Sequence, residues 1–183
     1  MLHRDDLIFA RECADLLRDA DITISVIRES LWRSAIIRYC KCFDQGGRIR
    51  AVISSSRYLP TGNAREGHQF FIDLRNKHIV HDENPYVQAS TGAVIASESQ
   101  GHKVKKVICT SITSITLTDE NLGILDRLIG EALKWVELRF DQLCEQITEQ
   151  LEGLPYETLL AQPEMTPYRA PTANDVSVRR QRP

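Results

Sequence analysis

Long apolar runs are missing from this chain of 183 residues: none approaches the roughly 18 that a membrane-spanning helix needs. A basic excess is missing too. Lys and Arg total 23 against 25 Asp and Glu, a net charge of -2, which excludes a generally basic nucleic-acid coat but not a local basic patch. Cysteine is sparse and irregular. Cys13, Cys40, Cys42, Cys109 and Cys144 are an odd set, and Cys40-Lys-Cys42 has no second pair at zinc-site spacing. Small free thiols in a reducing compartment, and no metal, are therefore expected. Neither a Gly-rich phosphate loop nor a nucleophile elbow is found, so no cofactor is expected. Internal repeats are absent. The first ten residues carry charge where a secretory signal is apolar, so a soluble cytoplasmic protein without membrane partners is the expectation.

What is there is ordinary globular composition, 42% hydrophobic and 26% charged, at a length that suits one domain. Helical spacing of Leu7, Ile8, Ala10, Ala14 and Leu17 predicts a first helix over about residues 4–20. Val26, Ile27, Leu31, Trp32, Ala35, Ile36, Tyr39, Cys40 and Phe43 predict a second, apolar over a wide arc and stopped by Gly46-Gly47. Trp32, Tyr39 and Phe43 fit a core, not a base-stacking platform. Residues 49–59 are ambiguous between helix and loop, and Pro60 to Asn63 reads as a turn. A third helix is expected over 64–81. Val, Ile and Thr then alternate through 87–97 and 104–117 around a turn at 98–102, which predicts a β-hairpin.

Thr118 caps a last helix running to about Leu151, with the stripe Leu122, Leu125, Ile129, Ala132, Val136, Phe140, Leu143 and Ile147. Nine acids against Arg127, Lys134 and Arg139 give it a net charge of −6. A helix of about 50 Å overhangs a small bundle, which implies a partner or homodimer contact. The expected fold is mainly α, a helical bundle over residues 1–153 with a β-hairpin inserted at 87–117 before the long C-terminal helix. The proline-rich residues 154–183, ending in Arg179, Arg180 and Arg182, are expected to be mostly flexible.

The third helix carries the chemistry. On an ideal wheel Gln69, Asp73, Asn76 and Lys77 share a polar arc, while Phe70, Phe71, Ile72, Leu74 and Ile79 share the opposite one. Arg75, His78 and His81 also fall on the apolar side, about 60° apart in succession. An inward arginine must meet a carboxylate, such as Asp15 or Asp44, or an anion. Histidines beside a fixed cation suit phosphodiester chemistry, since imidazole moves protons and guanidinium stabilises charge building on phosphate.

The run Leu74-Arg75-Asn76-Lys77-His78-Ile79-Val80-His81 resembles the signature of the HEPN superfamily, in which Arg and a polar residue precede His by four to six intervening positions. It looks most like branches whose motif reads Arg-Asn/Asp-Lys and then an apolar pair or Ile-Ala before His, abortive-infection types among them. The resemblance implies a HEPN-like bundle and a metal-independent endoribonuclease, a homodimer whose two motifs meet across a cleft. His81 would then be general acid or base, Arg75 would hold the phosphate, and Asn76 would orient one of them. His78 lies outside the family motif and either lines the cleft or is structural. The products would carry a 2′,3′-cyclic phosphate and a 5′-hydroxyl. A role as a toxin or phage-defence effector, with an antitoxin protein as further partner, would follow.

Six residues on an ideal helix mean about 120° of rotation and about 9 Å of rise, so Arg75 and His81 should not touch within one straight helix. Either the helix distorts before Asn84-Pro85 or the second copy completes the site. Lys103, Lys105 and Lys106 at the hairpin turn are either a solvated tip or a contact for the RNA backbone beside the active helix. Two other readings stand beside the nuclease: a non-catalytic HEPN-like dimer module that binds RNA, a nucleotide or a protein, and a helical interaction protein with a buried polar network. The homodimer would form through the motif helix, the long C-terminal helix, or both.

Overall fold

The computed structural model describes residues 2–19, 21–43, 53–54, 58–59, 62–81, 83–164 and 170–177. Helix α1 (Leu2–Arg18) buries Leu7, Ala10, Ala14 and Leu17, a stripe at steps of three and four residues. Helix α2 (Ser25–Lys41) buries Trp32, Ala35, Ile36, Tyr39 and Cys40. Its buried arc is narrower than the sequence suggests, because Val26 and Ile27 lie in its first turn, clear of the neighbouring helices, and are exposed. The stop at Gly46-Gly47 and most of the 49–60 segment lie outside the described residues.

Helix α3 (Asn63–Leu74) buries His68, Phe71 and Leu74. It passes without a break into a π-helix (Arg75–Val80), so the predicted third helix exists but changes its winding where the motif starts. Gly67 lets α3 lie close to the last helix, since a Cβ there would stand 2.8 Å from Ile124 Cγ2. That last helix, α4 (Asp119–Glu152), has the predicted cap: Asn121 N–H donates to Thr118 Oγ1 at 3.2 Å. Asp119 and Glu120 sit in its first turn, where carboxylates favour the positive helix end. Its first half buries Leu122, Leu125, Ile129 and Ala132 against α1 and α3.

The hairpin is antiparallel, β1 (Val87–Ile95) pairing β2 (Val104–Thr113) from Val87–Thr113 at its root to Ile95–Val104 near its tip. A bulge follows Val94, and Gly101 turns the tip at φ 68°, a left-handed conformation glycine adopts without strain. Every residue of both strands is exposed. The strands end earlier than predicted, because Thr116 and Leu117 turn back to the bundle, where the Trp32 indole N–H donates to Thr116 Oγ1 at 2.9 Å.

Beyond α4 the tail holds short local structure, a helix α5 (Tyr156–Leu160) started by Pro155 and a 3-10 turn (Ala173–Ser177). The terminal arginines lie outside the described residues. No helix among the described residues is long and apolar enough to cross a membrane. Three cysteines, Cys13, Cys40 and Cys42, are buried, while Cys109 and Cys144 are exposed, and all five are free thiols.

Candidate functional site

Site geometry begins with α3. Its polar arc is a surface ladder as expected: Gln69 donates to Asp73 at 3.2 Å, and Lys77 Nζ lies 3.2 Å from the same carboxylate. Those two donors, Gln69 first, hold the Asp73 carboxyl below its usual pKa. The apolar arc is also as expected, with Phe71 and Leu74 buried and Phe70, Ile72 and Ile79 partly buried against the core.

From Arg75 onward the ideal wheel fails. A π-helix closes each turn with one more residue than an α-helix, roughly 80° per residue in place of 100°. Successive members of the trio Arg75, His78 and His81 are then spread by roughly 120°, not 60°. Beyond Val80 the backbone leaves the helix, and His81 is extended at φ −126°, ψ 143°. The three residues therefore do not share one face. The distortion anticipated before Asn84-Pro85 is real, but it fans the side chains out.

Each member of the motif has its own surroundings. Arg75 is half-buried on the side of α2, near enough to Cys40 for its charge to favour the thiolate. Burial outweighs that effect, and the Cys40 thiol is pushed up to about 12. Arg75 Nη1 donates to Asn76 Oδ1 at 2.6 Å, so Asn76 orients the guanidinium. Of the carboxylates considered for Arg75, Asp15 is engaged with Arg18 at 3.3 Å, and Asp44 lies outside the described residues. His78 is half-buried and meets the ring of Tyr86 edge-on at 5.5 Å. Its Nδ1 is buried with no hydrogen-bond partner among the described residues. His81 is exposed.

The hairpin root adjoins this site, since Tyr86 stands just before β1 and its carbonyl accepts from Ser114 N–H at 2.7 Å. Its tip does not. Seven residue steps of strand lead from Val87 to Val94, which faces Lys106, so Lys103, Lys105 and Lys106 sit about 25 Å along the hairpin from its root. Within one chain they are not beside the motif.

Sequence reasoning missed two buried polar clusters. Tyr39 Oη lies 2.9 Å from Tyr58 Oη and 2.8 Å from His68 Nδ1. A chain in which Tyr58 donates to Tyr39 and Tyr39 to a neutral His68 satisfies the contacts. Burial lowers His68 to about 4 and raises both tyrosines, so the network is neutral at physiological pH. The second is Asp6, 3% exposed, which accepts from Arg38 at 2.6 Å and Lys41 at 2.9 Å and ties α1 to α2. The available signal was an acid on the buried stripe of α1 facing two cations three residues apart on α2. Among the described residues no group of three or more His, Cys, Asp or Glu is placed to hold a metal ion.

The chain matches no family model, no curated protein and no solved structure.

Proposed function

We propose that the protein is a metal-independent endoribonuclease of the HEPN kind, working as a homodimer, in the manner of a toxin or defence effector. The observation that carries this reading is the junction at Arg75. A helix switches to π winding at the motif's first residue, and π turns concentrate at functional sites. There it presents a guanidinium held by Asn76, a histidine with an unsatisfied buried nitrogen, and an exposed histidine.

In the proposed step the ribose 2′-oxygen attacks the adjacent phosphorus and the bond from phosphorus to the 5′-oxygen breaks. His81 takes the 2′-hydroxyl proton, and the partner subunit's His81 supplies one to the departing 5′-oxygen. Arg75 stabilises the charge on the non-bridging oxygens. The fanning of Arg75 away from His81 in one chain fits a site completed by a second copy. The same fanning favours one other reading, a non-catalytic module that binds RNA or a nucleotide.

Total RNA incubated with the protein in EDTA tests both. Cleavage leaving 2′,3′-cyclic phosphate ends is expected, with His81→Ala and Arg75→Ala each slower by about 100-fold or more. Binding without cleavage by the wild type supports the module. If wild type and both variants neither bind nor cleave, both readings fail.

A further inference from the structure

The apolar stripe of α4 does not stop where the bundle stops. Leu122, Leu125, Ile129, Ala132 and Val136 lie in line along the helix and are buried. Phe140, Leu143, Ile147 and Leu151 continue the same line at steps of three and four residues, and their exposures are 41%, 41%, 53% and 43%. Glu137 still reaches Arg4 of α1 at 3.5 Å. Residues 138–152 are all exposed, an overhang of about 22 Å.

Charge is partitioned around this overhang. At 100° per residue Asp141, Glu145, Glu149 and Glu152 fall on the back, more than 100° from the centre of the stripe. The positions flanking the stripe are Arg139, Cys144, Thr148 and Gln150. A basic partner would call for acids beside the seam; these flanks are nearly uncharged. An identical helix can pack there without like-charge repulsion.

We infer that the overhang pairs with the overhang of a second copy of this chain, antiparallel about a two-fold axis near residue 145. In that register Leu143 packs against the partner subunit's Ile147, and Phe140 against the partner subunit's Leu151. Antiparallel pairing follows from the bundles. In each copy α1 and α3 already cover the stripe up to Val136, and parallel pairing would put both bundles at the same end, competing for one space. A seam of four large side chains on each copy falls short of the ~800 Å² per partner of a standard stable interface, so alone it gives a weak, concentration-dependent dimer. This contact is separate from the motif-to-motif contact of the ribonuclease reading, because it sets the two bundles, and with them the two motifs, at opposite ends of the seam; neither contact rests on the other.

Sedimentation of the full chain over a concentration series tests it, with helicity checked by circular dichroism. Wild type is expected to self-associate, and Leu143→Lys with Ile147→Lys to weaken association about tenfold or more. The milder pair Leu143→Ala with Ile147→Ala should weaken it less. Charge reversal on the back, Asp141→Lys with Glu145→Lys, should leave it within about twofold. A wild type that stays monomeric at its highest soluble concentration overturns the inference. So does a seam variant that associates like wild type, or a back-face variant that dissociates. A wild type that self-associates through the seam but leaves RNA uncleaved counts against the ribonuclease reading alone.

Discussion

At the scale of single residues, the deepest constraint is His68. The residue is 6% exposed, its Nδ1 lies 2.8 Å from Tyr39 Oη and its ring meets Phe43 edge-on at 4.6 Å, so a proton added there would sit as a charge in the core. The folded pKa of about 4 lies below the unfolded 6.5, and the unfolded chain therefore binds more protons between those values. Stability from this group is complete above pH 6.5 and is lost as pH falls towards 4, by roughly 3 kcal/mol in all. Urea unfolding from pH 7 to 4 should show that decline, and His68→Phe should flatten it. An equally steep decline in the variant would place the titrating group elsewhere.

Where two elements pack closely, single positions matter. Gly67 is one: α3 approaches α4 so closely that a methyl group would collide with Ile124. Isoleucine in a helix has one strongly preferred rotamer and cannot swing aside. Gly67→Ala should therefore destabilise by ~1–3 kcal/mol in chemical denaturation, although alanine is the better helix former by about 1 kcal/mol. A stabilised variant would show that the helices can separate without cost. The hairpin is joined to the bundle in the same sparing way, through Trp32 with Thr116 and His78 with Tyr86. A two-stranded hairpin with both faces exposed draws little stability of its own. Its root thus becomes the feature that couples it to the motif.

Taken whole, the molecule is a bundle core with two projections. The net charge of -2 is the sum of unlike regions. The α4 overhang has four acids against Arg139, while the hairpin has three lysines against Glu98. At a concentration where sedimentation finds a monomer, amides of Leu122, Leu125 and Ile129 should exchange only through global unfolding. Those of Leu143 and Ile147 should exchange by local fraying, giving two levels of protection within one helix. Hydrogen exchange followed by mass spectrometry measures this directly. Uniform protection along α4 in the monomer would mean that something in the chain covers the overhang.

Much of this is legible in the order of residues. The stripes of α1 and α4, the Thr118 cap, the hairpin and the buried Trp32 and Tyr39 follow from local spacing, because an amphipathic face records its own burial in the order of residues. The motif residues were legible as a string for the same reason. Their directions were not: a wheel assumes one winding, and the π turn at Arg75 separated residues that an α-helix would have aligned. Nor could spacing join Tyr39 to His68 and Tyr58, or Asp6 to Arg38 and Lys41, since those contacts span different elements. Periodicity is a property of one segment. Only packing decides which polar groups meet inside, how far the Lys103–Lys106 tip stands from the motif, and where along α4 the core ends.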